Sequence, residues 1–463
     1  MDRRVLAIVL ITAAIIYGIV QLAQAEEYSG ILLFFAAIAV LIVSGELISR
    51  FTTMGSGWGI LLWRTKKGIE LVKSLSRNAE LWKALTDIGI GICFGLAAYF
   101  IIDRGAKGKI AVLAASMVLI TLLVFLVSPM VFPFLSVSLG MPIGAGRGAH
   151  AESLLGPLLT TSAIYLGGFA LFITAGLVVY GFSTLMALLG SVLLGNGAIS
   201  EVEPGVTLLL PGVNLPLFEG ILALFIILVV HEGAHAIMAA IGRVPILSSG
   251  IAFFGIIPVG AFVEPDERLL FKKSRTVQNR VMAAGSSSNL MFSLVFFLLL
   301  MGFLYVSDPY KEHGWLLLEG SGNETEIHLE NSTVIYSVNG MDVRGLEGIQ
   351  LNVSPGETVT LETSKGIMER EVNEEGRLGL FYMSLSWAPL AMYENPALTF
   401  VFKALVLAFC LNFVVGVVNL LPLPFFDGYR LLELNLPKKK TVKLVMYVTL
   451  AAFLMNLLPW FFK

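Results

Sequence analysis

Long apolar blocks, rather than short alternating ones, dominate this chain. Mostly apolar runs cover about Val5–Leu22, Ile31–Ile48, Asp87–Ile102, Ile110–Phe134, Leu154–Leu194, Glu219–Ile241, Val281–Val306, Ala397–Leu421 and Val442–Phe461. About 18 to 20 helical residues, each rising about 1.5 Å, cross a hydrocarbon core of roughly 30 Å. The pattern predicts an α-helical polytopic membrane protein of about 8–9 transmembrane helices.

Two stretches depart from that pattern. Ile246–Val263 is apolar but broken by Gly250, Gly255, Pro258 and Gly260. Such residues disfavour a helix, and non-helical backbone at membrane depth needs protein or a water-filled cavity around it. The stretch reads as a re-entrant or interfacial β-hairpin. From about Tyr310 to Ser386 charge rises and short alternating runs appear, at Thr333–Val338, Thr358–Glu362 and Met368–Val372, with turns at Asn339-Gly340 and Pro355-Gly356. A small extracytoplasmic β-rich domain of ~75 residues is expected there. The chain thus divides into N-terminal membrane helices (1–200), the first part of a membrane core (201–309), the β-rich domain (310–388), and the second part of the core with the last helix (389–463).

Composition agrees with a membrane protein. Hydrophobic residues make up 56% of the 463 and charged residues 14%, against about 25% charged in soluble domains. A net charge of −2 gives no reason to expect nucleic acid as a partner. The placement of charge says more. Basic residues gather at Arg50–Lys83, at Arg268, Lys272, Lys273, Arg275 and Arg280, and at Lys438–Lys440, which marks those loops as cytoplasmic; Glu201 and Glu203 fall on the other side. The link with Arg104, Lys107 and Lys109 falls outside in this arrangement, against the rule. Leu154–Leu194 is interrupted by Gly167-Gly168. One long tilted helix keeps the charges consistent, whereas two short spans would invert everything downstream. At the N-terminus, Met1–Arg4 and Ala23-Gln24-Ala25 resemble a signal peptide, but the apolar run is long for one, and a retained first span is preferred. Sequons at Asn323, Asn331 and Asn352 support an outside location only weakly. Cys93 and Cys410 sit in apolar runs and read as buried thiols.

The chemistry centres on His231-Glu232-Gly233-Ala234-His235. Histidines four apart on a helix share one face and can reach a single cation. Glu232, about 100° round the helix, can reach a water held there without being a ligand. This H-E-x-x-H spacing suits two zinc ligands and a general base. The bland alternative is a helix carrying polar residues for packing. In an apolar helix, however, each ionisable group costs at least about 2.5–3.5 kcal/mol at the bilayer centre, and a bound dication compensates. A catalytic zinc site takes three protein ligands and keeps one position open. His150 lies in a loop, and His313 and His328 fall in the outside domain. Asn419-Leu-Leu-Pro422-Leu-Pro424-Phe-Phe-Asp427-Gly428 offers a carboxylate on a proline-broken turn. On chemistry alone Asp427 is either the third ligand or a solvated loop aspartate.

His231–His235, Gly285-x-x-x-Asn289 and Asn419–Gly428, in that order, together resemble the site-2 protease family of intramembrane zinc metalloproteases. Gly260–Pro265 is also similar to that family, and Val334–Gly340 with Ser354–Thr360 resembles a PDZ module. The resemblance covers about Pro211–Leu432. It implies one Zn2+ per chain on His231, His235 and Asp427, with Glu232 activating water. It also implies Asn289 and Asn419 near the site, binding substrate backbone or the developing oxyanion; polar packing between helices is their other reading. Tyr429 departs from the second glycine many members carry.

The implied substrates are single-span membrane proteins, anchored regulators already trimmed outside by a site-1-type protease. An unwound substrate would add as a strand to Ile246–Val263, and the PDZ-like domain would screen substrates. A multi-pass protein of a prokaryotic plasma membrane is expected, with the active site toward the cytoplasm. Three rivals stay open: a non-catalytic membrane scaffold binding partners through the PDZ-like domain, an intramembrane metal transporter, and a different H-E-x-x-H peptidase with a glutamate as third ligand.

Overall fold

The computed structural model describes residues 2–24, 30–66, 68–131, 134, 155–195, 197–206, 209, 211, 215–321, 324–326, 333–344, 346, 353–373, 378, 381–384, 393 and 395–462. His150, His328 and the sequons at Asn323, Asn331 and Asn352 lie outside the described residues.

Helices α1 (Arg3–Gln24) and α2 (Gly30–Arg50) pack together and lead into strands β1 (Gly55–Gly57) and β2 (Ile60–Thr65). After α3 (Ile69–Leu75) come α4 (Ala79–Phe94), α5 (Ala106–Leu122) and α6 (Leu155–Leu194). The core follows, with α7 (Leu217–Ile241), β3 (Ile246–Phe254), β4 (Ile257–Pro265) and α8 (Arg275–Ser307). A β domain of β5 (Trp315–Ser321), β6 (Glu324–Glu326), β7 (Thr333–Val338), β8 (Met341–Asp342), β9 (Thr358–Thr363), β10 (Gly366–Glu371) and β11 (Phe381–Ser384) precedes α9 (Pro396–Val418), α10 (Asp427–Asn435) and α11 (Lys439–Leu457). Among the described residues, seven helical stretches are long and apolar enough to cross a membrane: 79–100, 106–131, 161–194, 217–241, 275–310, 396–418 and 439–461.

α8 is the central helix and packs on α4, α7 and α9. Its apolar half contributes Leu290, Phe297 and Leu300 to a core shared with Ile92, Ile120, Phe134, Phe402 and Phe409. Phe409 meets Phe134 edge-on with ring centroids 6.1 Å apart, a geometry aromatic pairs favour. Small residues let the helices approach. A Cβ on Gly89 would stand 2.3 Å from Ser287 Cβ, and one on Gly91 would stand 2.0 Å from Ser116 Oγ.

The basic link after α4, expected at the end opposite to the start of α8, lies beside that start. α4 stops at Gly95 (φ 59°) and continues as a 3-10 turn, Gly95–Phe100, that folds back along it. The link then returns to the start of α8, where Asp103 accepts from Thr276 Oγ1 at 2.8 Å. Arg104 pairs with the buried Asp87 of α4, and Arg280 donates to the same carboxylate at 2.7 and 2.8 Å. Arg104 thus lies with Arg280 at the N-terminal end of α8, sharing the Asp87 carboxylate with it.

α6 is also not one continuous helix. The chain is helical on both sides of Gly168, whose φ of 67° and ψ of −169° break it. The break docks on the α4 fold-back. A Cβ on Gly168 would lie 2.2 Å from Cys93 O, and one on Gly95 would lie 2.5 Å from Tyr165 O. Two glycines in left-handed conformations therefore allow two interrupted helices to meet backbone to backbone.

Ile246–Val263 forms the hairpin expected from its glycines, β3 and β4, turning at Gly255 (φ 61°). The hairpin does not stand alone. It belongs to an antiparallel sheet of order β1-β2-β3-β4, in which the segment after α2 supplies two strands. Arg64 opposes Gly250, where a Cβ would lie 2.0 Å from Trp63 O. The outer edge of β3 is therefore closed by β2, and among the described residues β4 is an edge strand alongside α7. Glu264 ties the layer together: Ser248 Oγ donates to its Oε2 at 2.6 Å and Arg64 Nε at 3.3 Å.

The β domain is antiparallel throughout, in the order β10-β9-β7-β5-β11. Trp315, Ile335, Val338, Val343, Val359, Leu361 and Val372 form its core. Asn339 and Gly340, at φ 47° and 76°, make the β7–β8 turn, as an Asn-Gly pair does where two positive φ values are needed.

Two outcomes test these contacts. Asp87→Ala leaves Arg104 and Arg280 without their counter-charge, and removing one partner of a buried pair costs about 3–5 kcal/mol; thermal unfolding in detergent should show that loss. The Ser248 hydroxyl, and then Arg64, hold the Glu264 carboxyl below its ordinary range. A depressed folded value stabilises above the unfolded pKa of about 4.3 and ceases to as pH falls through the folded value. The stability difference between wild type and Glu264→Gln should be constant from neutral pH to about 5 and vanish at lower pH.

Candidate metal centre

α7 carries the two histidines on one face. Their Nε2 atoms lie 3.2 Å apart and their ring centroids 4.8 Å apart. Small residues at Gly233, Ala234, Ala236 and Ala239 surround them in sequence, and Ala234, Ala236 and Ala239 are buried. Asp427 Oδ2 stands 3.4 Å from each Nε2. Among the described residues these three form the one group of His, Cys, Asp or Glu donors gathered closely enough to hold a metal ion.

Asp427 reaches the histidines through the turn that follows α9. The helix ends at Asn419, and Pro422 and Pro424 keep the next residues from continuing it. Phe425 takes a φ of 76°. The chain then closes on itself, with Gly428 N–H donating to Asn419 O at 2.9 Å. A Cβ on Gly428 would lie 2.0 Å from Leu420 O, so the position admits no side chain. The Asp-Gly pair thus places the carboxylate on the first residue of α10, directed at α7.

α8 lies against the opposite side of the donors. Gly285 makes this possible, since a Cβ there would lie 2.3 Å from His235 Nε2 and 2.5 Å from His231 Nε2. Val281 O accepts from His235 Nδ1 at 2.7 Å. Ser286 Oγ donates to Asp427 Oδ2 at 3.0 Å. The Asn289 amide lies 3.1 Å from His231 Nδ1, fully buried, and its Oδ1 has no partner among the described residues.

The donor set fits a zinc ion. Ligand bonds of about 2.0–2.2 Å in tetrahedral array put donor atoms roughly 3.3–3.6 Å apart, close to the spacings here. Both imidazoles have Nδ1 engaged elsewhere, which directs Nε2 inward as metal-bound histidines require. The unpartnered Asn289 Oδ1 is an acceptor beside the one ring nitrogen that would carry a proton once Nε2 is given to a cation. Three protein donors leave a fourth position open.

The sequence-predicted residues fall as follows. His231, His235 and Asp427 converge, and Asn289 adjoins His231. Glu232 is turned toward the sheet, where its Oε2 accepts from the edge amide Val263 N–H at 3.2 Å. Asn419 lies at the start of the turn and uses its backbone carbonyl to hold Gly428. Sequence reasoning missed Val281, Ser286 and Val263. A signal for the first existed: Val281, Gly285 and Asn289 are four apart and line one stripe of α8.

The family model for Peptidase family M50 matches residues 219–457, slightly more than half of the chain. An uncharacterized protein of Methanocaldococcus jannaschii is 27% identical over 261 residues, which cover 55% of this chain and 67% of that protein. No solved structure matches the chain.

Gly285→Ala puts a methyl group where two donor atoms now lie. The purified variant should retain its helix content and bind zinc at least about tenfold more weakly, read by chelator competition.

Proposed function

Because the chain belongs to peptidase family M50, a family of metalloproteases, we propose that it is an intramembrane zinc endopeptidase of the site-2 protease type, cutting membrane-anchored proteins within or beside their transmembrane segment. The observation that carries this reading is the His231–His235–Asp427 triangle with Glu232 between it and the edge of β4. A zinc ion held by these three residues supplies a Lewis acid that makes water a nucleophile near neutral pH. Glu232 takes the proton from the attacking water and delivers it to the departing amide nitrogen, the general acid–base role. Asn419, at the start of the turn carrying Asp427, is assigned in this reading to substrate backbone or the developing oxyanion.

A spanning helix hides its amides in intrachain hydrogen bonds, and a peptide unwound at membrane depth needs new partners. The β4 edge offers them. Residues alternate along a strand, so Ala261 presents its backbone on the same side as Val263, toward Glu232. A substrate added there as a strand lies beside the general base, whereas the β3 edge is closed by β2.

The proposed substrates are single-span proteins already trimmed outside by a site-1-type protease, with the β domain acting as a PDZ-like screen. In this reading α1 and α2, apolar helices of 22 and 21 residues, are further spans, and the β3–β4 hairpin is re-entrant. Arg104, Arg275 and Arg280 at one end of α8, with Lys438–Lys440, support a cytoplasmic side for that end, and the proposed location is a prokaryotic plasma membrane. The triangle of donors beside the Glu232 carboxylate, which is not one of the three, favours the enzyme over a scaffold or a transporter.

Glu232→Gln should keep zinc and lower cleavage of a membrane-anchored substrate by about 10²–10⁴-fold; unchanged cleavage would overturn the assigned base. Ala261→Pro removes an edge N–H that β3 does not use, and proline is tolerated on edge strands. It should lower kcat/KM at least about tenfold with zinc content unchanged, the loss of bound substrate backbone. Wild-type kcat/KM in that variant would overturn strand addition to β4.

A further inference from the structure

We infer that Asn289 is a positioning residue for the metal: its amide oxygen holds the Nδ1–H of His231, so that Nε2 is the free donor. This rests on the metal-centre reading of the same site and reassigns Asn289 from the substrate side to the back of a ligand. Two observations carry it. Asn289 is fully buried, with its amide 3.1 Å from Nδ1, the ring nitrogen that faces away from His235 and Asp427. Its Oδ1 is buried and unpartnered among the described residues, a costly state for an amide in an apolar surrounding.

The two facts have one resolution. With the ring proton on Nε2, Nδ1 is an acceptor and the amide NH2 donates to it, the orientation present here. When Nε2 is given to a cation, the proton resides on Nδ1, which then needs an acceptor. A half-turn of the Asn289 amide exchanges Nδ2 for Oδ1 and supplies it. His235 has its acceptor in Val281 O, and Asp427 has its donor in Ser286 Oγ. Every proposed ligand is thereby oriented by α8, which itself contributes no ligand. Val281 acts through its backbone, so Asn289 is the imidazole partner that substitution can remove.

The test uses the full chain in detergent and reads zinc affinity by chelator competition. Asn289→Leu should weaken zinc by about 10–100-fold, the usual effect of losing a ligand's hydrogen-bond partner. Asn289→Asp, which keeps an acceptor oxygen of the same reach, should restore affinity to within a few-fold. Should the leucine variant not fold, Asn289→Asp against Asn289→Ser carries the comparison: the carboxylate retains zinc, and the hydroxyl, too short to reach Nδ1, loses at least tenfold. Equal zinc affinity in wild type, leucine and serine variants overturns the positioning role, and does so also when cleavage is lost, since Asn289 then acts on substrate. Wild-type protein that takes up no zinc sinks instead the metal-centre reading on which the inference rests.

Discussion

Two imidazole nitrogens and a carboxylate oxygen held 3.2–3.4 Å apart among apolar helices set the terms for what packs around them. Groups so polar need partners when they leave water. The structure supplies these by bringing backbone close on two sides. α8 presses against the imidazoles at Gly285, and the turn after α9 closes through Gly428. Neither position has room for a Cβ, so each glycine is a requirement of distance more than of flexibility. The same closeness gives α8 its second task of orienting the donors through Val281, Ser286 and Asn289.

Because α8 is fixed by the site, its neighbours must be fixed to α8. Asp87 does this from α4 by binding Arg280, one residue before the carbonyl that receives His235. Arg104 completes the network only because Gly95 folds the chain back. The α6 break at Gly168 docks on that fold-back. A line of contacts therefore runs from an interrupted helix, through a buried carboxylate, to the carbonyl that accepts from His235.

The sheet has a comparable logic. A hairpin in an apolar setting has two edges with unpaired backbone groups. β2 closes one, held by the absence of a side chain at Gly250 and by Arg64 on Glu264. The other lies along α7, where Val263 N–H meets Glu232. The β4 edge and the Glu232 carboxylate thus share one space.

Much of this was legible in the chain. Apolar runs set the helices because a span needs about 20 residues whatever surrounds it, and the observed elements at 217–241, 275–307, 396–418 and 439–457 lie close to the runs. Local periodicity put His231 and His235 on one face, and glycine and proline marked the hairpin and the Asp427 turn. Contacts between distant segments were not legible. Asp87 reads as one charge at the edge of an apolar run until Arg104 folds back to it. β2 reads as part of a basic loop until β3 offers it a partner, and the contact of Asn289 with His231 Nδ1 appears only once α8 packs on α7. The amino-acid order determined which residues share a helix face or a turn, because backbone geometry repeats locally. Which of those faces meet, and how closely, was decided only by tertiary packing, where absent Cβ atoms allow backbone to reach a buried polar group.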